Sequence, residues 1–273
     1  MKDAVDGWKP VPQWRLAFND LAGGLKAHRV WMLLARMDIR QRYRRSIIGP
    51  FWITITMIIW IGAMGPLYSH LLGIGADDFI PYLAMGIITW GLVSGLILDG
   101  AGAFVSAENL VRSVKLPYTV HILRVMQRQL LIFLHNLLAF VPFMIVLGIR
   151  PKWEWLMAIP GVLLIMLAAL PSGFLLGTLS ARFRDLQQML ASIVQLAFFL
   201  TPIFWKPELL GAHAWVADWN PFHLLLELVR APVVTGAPPP LHVYERVALL
   251  LLLLYALSVP FFIRYRRRLA FWV

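Results

Sequence analysis

The chain has 273 residues, of which 60% are hydrophobic and only 14% charged; it contains no cysteine and carries a formal net charge of +11. An ordinary soluble domain carries about 25% charged residues, so this composition excludes a water-soluble globule and makes lipid the natural solvent. The missing cysteines exclude disulfides, thiolate metal sites and cysteine nucleophiles, while the positive charge admits either nucleic acid or anionic lipid until its distribution is read.

Residues 1–27 are polar and broken by Pro10 and Pro12, without the apolar core of a signal peptide. This predicts an N-terminus that stays in the cytoplasm. Residues 28–45 read as an amphipathic helix, with Arg29, Arg36, Arg40 and Arg44 along one side and Val30, Leu34 and Met37 beside them. Such a helix lies in the membrane surface, either as a working element or as a basic face that only sets topology. The guanidinium groups between Arg40 and Arg45 are forks suited to the phosphates of anionic lipids or of an acidic lipid-linked substrate.

Uncharged stretches near the ~20 residues needed to cross hydrocarbon then place spans at about Gly49–Leu72, Phe79–Ala103, Leu130–Gly148, Trp155–Leu179, Leu186–Trp205 and Val243–Ile263. The first two form a tight hairpin with Asp77 and Asp78 in its loop. Interior prolines such as Pro142, Pro171 and Pro260 predict kinks, because neighbouring helices can satisfy the freed carbonyls. The expected fold is all-α and integral to the membrane. It has an N-terminal amphipathic region (1–48), a six-helix transmembrane domain (49–263) and a basic tail (264–273).

Between the second and third spans, Ser106, Glu108, Lys115 and Pro117 are start and stop signals for a short helix over about 107–116. Leu110, Val111 and Val114 give it an apolar face, either for docking on a protein or for resting on the membrane. The turn Arg182-Phe183-Arg184-Asp185 is compact and charged. Between the fifth and sixth spans, Asn220-Pro221 is a strong helix start, and Phe222 to Val229 is too short to cross. Trp205, Trp215 and Trp219 fit an interfacial aromatic belt. Short helices dipping into the outer leaflet follow, either closing a pathway or simply packing there.

Lys and Arg number ten in the N-terminal segment, four over 104–129, two over 180–185 and four from Arg264, giving 20 on one side; Arg150, Lys152, Lys206, Arg230 and Arg246 make five on the other. This split places both termini in the cytoplasm and explains the basic charge by topology and anionic lipid. No nucleic acid is needed. Ionisable groups within the spans, such as Asp99, His135 and Glu245, are too few for a proton- or ion-coupled carrier and too scattered for a membrane enzyme. His135 beside Asn136 reads as an interhelical hydrogen-bonding pair. The chain holds no Gly-x-x-x-x-Gly-Lys-Ser/Thr run, so any use of ATP falls to a partner. Aromatic side chains lining a path would stack on sugar faces with little demand for a particular sugar, although most serve as packing or interface anchors.

The run Asp38-Ile39-Arg40-Gln41-Arg42-Tyr43-Arg44-Arg45-Ser46-Ile47-Ile48-Gly49-Pro50-Phe51-Trp52 resembles the basic entry to the first span of a known family, the membrane subunits of the ABC transporters that export bacterial polysaccharides such as lipopolysaccharide O-antigen. Arg182-Phe183-Arg184-Asp185, Thr201-Pro202-Ile203-Phe204-Trp205 and Asn220-Pro221-Phe222 resemble later segments of that family. The resemblance implies a permease, not an enzyme, acting as a homodimer in the bacterial inner membrane with a channel between protomers. It also implies two copies of a cytoplasmic ATPase that hold ATP and Mg, with no cofactor on this chain, and an undecaprenyl-pyrophosphate-linked polysaccharide as cargo. By that analogy Glu108, Asn109, Leu110, Val111, Arg112, Val114 and Lys115 form an ATPase-coupling helix. Arg36, Arg40, Arg42, Tyr43, Arg44 and Arg45 meet the pyrophosphate at the entrance. Trp52, Trp60, Tyr68, Phe198 and Phe199 are channel aromatics on the first and fifth spans, and Trp215, Trp219, Pro221 and Phe222 belong to a periplasmic gate.

Overall fold

Hydrocarbon offers no partner to a backbone N–H or C=O, so a chain this apolar satisfies those groups within its own helices. The computed structural model describes residues 12–42, 44, 48–49 and 51–273, which form helices and turns without a strand. Two amphipathic helices come first, α1 (Gln13–Lys26) and α2 (His28–Arg42). The hairpin expected next is α3 (Phe51–Leu72) and α4 (Ala76–Ala101), turned at Gly73, whose φ of 65° suits glycine. Asp77 and Asp78 lie in the first turn of α4 and not in the loop, where the helix dipole favours negative charge.

The short α5 (Glu108–Ser113) precedes α6 (Tyr118–Leu137), which passes through a 3-10 turn at Leu138–Phe140 into α7 (Val141–Val146). The predicted kink at Pro142 takes this form. The chain continues with α8 (Ala158–Arg182), α9 (Leu186–Leu200), α10 (Trp215–Asp218), α11 (Pro221–Val234) and α12 (Leu241–Trp272). Both α8 and α12 continue through their prolines, Pro171 and Pro260.

Among the described residues, five helical segments are long and apolar enough to cross a bilayer: Phe51–Leu72, Ala76–Ala101, Tyr118–Val146, Trp153–Arg182 and Leu241–Trp272. The expected fifth span, Leu186–Trp205, is not a full-length helix. At 15 residues α9 reaches about 22 Å, short of the ~30 Å of hydrocarbon. It stops because Thr201, with ψ 137°, precedes Pro202, whose ring disfavours helical backbone at the preceding residue. The third span starts at Tyr118 and not near Leu130, so Arg124 and Arg128 lie inside the helix. The final helix carries Arg264 to Arg268 and runs on to Trp272, so the basic tail is helical and continuous with the span before it.

The central helix is α4. Every residue from Phe79 to Trp90 is buried, enclosed by α3, α6, α8 and α11. Close approach of α8 to α11 depends on Gly161: a Cβ there would lie 2.4 Å from the Leu228 carbonyl oxygen. Because that neighbour is backbone and cannot rotate away, Gly161→Ala is expected to lower stability by about 1–3 kcal/mol. Thermal unfolding in detergent measures this, and an unchanged midpoint would mean that the two helices separate at little cost.

Side-chain pairs group the loops by end. Asp20 of α1 accepts from the backbone N–H of Tyr118 (3.1 Å) and Thr119 (2.9 Å) at the start of α6, and Arg266 of α12 donates to it at 2.8 Å. Arg112 donates to the Val273 carbonyl at 2.5 Å, and Arg184 pairs with Glu108 at 3.5 Å. The segments that the charge count assigned to one side therefore meet at one end, the basic end. At the opposite end Arg246 donates to the Asp218 carbonyl at 2.5 Å and lies 4.8 Å from the Trp219 ring centre.

Candidate translocation surfaces and coupling elements

Of the residues expected at the entrance, Arg36, Arg40, Arg42 and Arg44 are exposed at the basic end; Tyr43 and Arg45 lie outside the described residues. The apolar strip beside them is itself largely open, with Val30 and Met37 exposed. What holds α2 to the bundle is Asp38, a residue that sequence reading left as part of a basic run. Arg124 of α6 reaches its carboxylate through Nε at 2.8 Å and through Nη2, and Arg128 donates to it at 2.7 Å. Burial alone would raise the Asp38 pKa, but hydrogen bonds and charge from Arg124 and Arg128 outweigh it and hold the carboxyl below its ordinary value. Arg128 also donates to Asp99 of α4 at 2.8 Å, and Gln129 donates to the same oxygen. A chain of alternating charge thus runs from α2 through α6 to α4.

The expected coupling helix is shorter than 107–116: a 3-10 turn (Val105–Ala107) leads into the six residues of α5, and Val114 is extended. The proposed single apolar face is divided. Val111 packs inward on the cluster around Phe104, Leu110 is half-buried, and Val114 is exposed. Asn109, Arg112 and Lys115 are also exposed. Glu108 is drawn sideways, to Arg112 at 2.9 Å and to Arg184.

The aromatics expected to line a channel separate into two sets. Trp52, Trp60 and Phe199 are exposed at 54%, 45% and 62%. Tyr68 and Phe198 are packed instead: Tyr68 lies 5.3 Å from Phe204, and Phe198 lies 5.5 Å from Trp90 and 5.0 Å from Phe204, centre to centre. Helix rotation, which the sequence does not reveal, decides between the sets. Other large apolar side chains on the same two helices, including Ile59, Leu67, Ile193 and Leu196, are also exposed. Both helices therefore present uncovered apolar surface.

At the opposite end Trp215 and Trp219 are exposed, while Pro221 and Phe222 open α11. The Asn220 side chain caps that helix, accepting from the N–H of Phe222 at 2.9 Å and of His223 at 3.3 Å. Its amide donates to the Leu200 carbonyl at 3.2 Å, tying α11 to the end of α9. Phe222 packs on Trp90 at 5.4 Å. The organising group is Arg230, 1% exposed and counted from sequence only as a loop charge. It donates to the Pro202 carbonyl at 2.7 Å, to Glu227 at 2.8 Å and to His223 Nδ1 at 3.2 Å, and its guanidinium lies 3.9 Å from the Tyr82 ring centre. Tyr82 in turn donates to the carbonyls of Pro202 and Trp205, each at 3.1 Å.

Two of the ionisable groups within the spans, Asp99 and His135, are otherwise engaged. Asp99 holds Arg128 and Gln129, and His135 Nδ1 lies 2.8 Å from the Leu131 carbonyl of its own helix. The interhelical bond at this level runs from the Thr54 hydroxyl to the His135 carbonyl, at 3.1 Å, and not from the imidazole.

A bundle of long apolar helices with uncovered apolar faces, ion-paired at its basic end and latched at the other, is the build of a multi-pass membrane protein. Residues 29–234, about three-quarters of the chain, match the model of the ABC-2 type transporter family, to which the chain belongs, and this family match makes it a transport permease rather than an enzyme. It is similar to the O-antigen export system permease protein RfbA of Klebsiella pneumoniae, with 20% identity over 75% of this chain and 80% of that protein. The protein of the same name in Myxococcus xanthus is 27% identical over 63% of this chain and 66% of its own length.

Proposed function

We propose that this chain is the permease half of an ATP-driven exporter that moves an undecaprenyl-pyrophosphate-linked polysaccharide, O-antigen first, across the bacterial inner membrane. The observation that carries the reading is the uncovered, aromatic-bearing surface of α3 and α9. One chain leaves it open, and a second copy facing it would enclose a path lined by Trp52, Trp60 and Phe199. In this reading the basic end lies in the cytoplasm, following the positive-inside rule. The exposed arginines of α2 receive the pyrophosphate, with anionic lipid around them. Leu110, Val114 and their polar neighbours meet one of two ATPase subunits, which hold ATP and Mg. Segment 206–240 closes the periplasmic side.

Depleting the protein in its host is expected to trap finished lipid-linked polymer on the cytoplasmic face, and Leu110→Asp should do the same while leaving membrane insertion intact. Normal surface glycan on depletion would move the cargo to drugs or small lipids. Normal export by Leu110→Asp alone would remove the coupling role from α5.

A further inference from the structure

The non-basic end holds a polar cavity apart from the α3 and α9 surface. It has a volume of about 370 Å³ and lies between residues 206–208, α10, α11 and the start of α12, with Tyr82 of α4 on its wall. That size falls within the ~300–1,000 Å³ of ordinary small-molecule pockets. Its wall sets Glu208, Asp218 and Glu227 against Lys206 and Arg230, and Arg246 stands 3.9 Å from Asp218. Three cations therefore balance three carboxylates. An ion of either sign gains little from such a wall, whereas a neutral polar molecule meets both donors and acceptors.

Two side chains one turn apart on α11 set what the occupant must offer. His223 is 6% exposed and lines the cavity. Its Nδ1 accepts from Arg230 at 3.2 Å, because a guanidinium only donates, so the proton of the neutral ring sits on Nε2. Burial keeps that ring neutral, lowering its pKa to about 4. Nε2 has no hydrogen-bond partner among the described residues and is not sealed off by protein, so its N–H opens into the cavity that the ring lines. Glu227 receives Arg230 through Oε1 alone, which leaves Oε2 as an acceptor on a side chain 22% exposed. His223 Nδ1 and Glu227 Oε1 lie 3.9 Å apart, so the open donor and the open acceptor belong to neighbouring groups. A hydroxyl both donates and accepts, and two hydroxyls on adjacent carbons satisfy the pair together.

We infer that this cavity is a binding site for a neutral sugar unit, held by adjacent hydroxyls that accept from His223 Nε2 and donate to Glu227 Oε2. The choice of a sugar rests on the export reading. In that reading the cavity lies at the end where the glycan emerges, beside the segment that closes that side, and gives the polymer a hold separate from its path.

The test uses the full chain in phosphatidylcholine nanodiscs, free of sugar-headed detergent, with binding read by saturation-transfer difference NMR. The neutral probes are trisaccharides of mannose, rhamnose and N-acetylglucosamine; the charged ones are anionic trigalacturonate and the cationic glucosamine trimer. Saturable binding of at least one neutral probe, in preference to both charged ones, is expected. Glu227→Gln keeps an acceptor for Arg230 but turns the open acceptor into a donor, and should weaken that probe roughly ten-fold, as loss of a hydrogen bond to a charged group does. Val234→Trp, on the same wall but outside the Arg230 bonds, should abolish binding by filling the cavity, whether or not the glutamine variant folds. Undiminished binding by Val234→Trp would overturn the inference, as would preference for a charged probe or saturable binding of none of the neutral ones. Failure here, with polymer still trapped when the protein is depleted, would sink this site and leave export standing; binding here with normal surface glycan on depletion would do the reverse.

Discussion

Replacing Asp38 with asparagine is expected to release α2 from the bundle and lower stability by about 3 kcal/mol or more. The carboxylate is the shared acceptor of Arg124 and Arg128, whose side chains are 20% and 15% exposed. Removing one member of a largely buried charge set leaves the others uncompensated, which typically costs about 3–5 kcal/mol. Asparagine keeps the shape but not the charge, so the loss reports electrostatics and not a cavity. Thermal unfolding reads the energy, and proteolysis within 28–42 reads the release of α2. A native-like midpoint together with a protected α2 would show that apolar contacts alone hold that helix.

The acid dependence has a definite sign. Because the Asp38 pKa is lowered by folding, its stabilisation is fully present above the unfolded carboxylate value of about 3.9. It is lost only as pH falls through the lowered folded value. Docking of α2 should therefore be level through neutral pH and fail only in strong acid.

Arg230→Met is the second substitution with a large expected effect. It removes the donor to the Pro202 carbonyl, to Glu227 and to His223 in one step. Glu227 then lacks its counter-charge in a mostly buried setting, and a destabilisation of about 3–5 kcal/mol follows. The effect should concentrate on residues 201–205, where hydrogen exchange is expected to rise well before α4 or α8 loosens. Arg230→Lys should restore little, because an ammonium cannot span three acceptors and cover the Tyr82 ring as a planar guanidinium does. Full stability of the lysine variant would mean that only the charge matters at this position.

Where the sequence could be read, it was read through apolar length. The uncharged stretches beginning near Gly49 and Trp155 come close to α3 and to the segment ending at Arg182. Where it misled, charge or proline was judged without its partners. Arg124 and Arg128 deferred the third span by about twelve residues, since their acceptor Asp38 is 86 and 90 positions away, beyond any periodicity. The Thr201-Pro202 step was allowed inside a span, yet there the chain leaves the helix and finds its partners in Tyr82 and Arg230. One local signal pointed to Arg230: Glu227 stands three residues before it on the same helix, a spacing that pairs charges. The lone acid at Asp38, in the stretch from Arg36 to Arg45, is a comparable clue. The exposure of Trp52, Trp60 and Phe199, against the half-buried packing of Tyr68 and Phe198, has no such trace, because it depends on how whole helices are turned.

The Asp20 carboxylate of α1 gathers groups from two distant parts of the chain: the start of α6, 98 and 99 residues on, and Arg266 at a separation of 246. During synthesis α1 precedes α6 and can cap it before the charged partner on α12 has been made. Removal of Arg266 with its helix would leave that anion buried without its counter-charge, so the contact makes the docking of α1 and the start of α6 sensitive to α12, a helix more than 240 positions away.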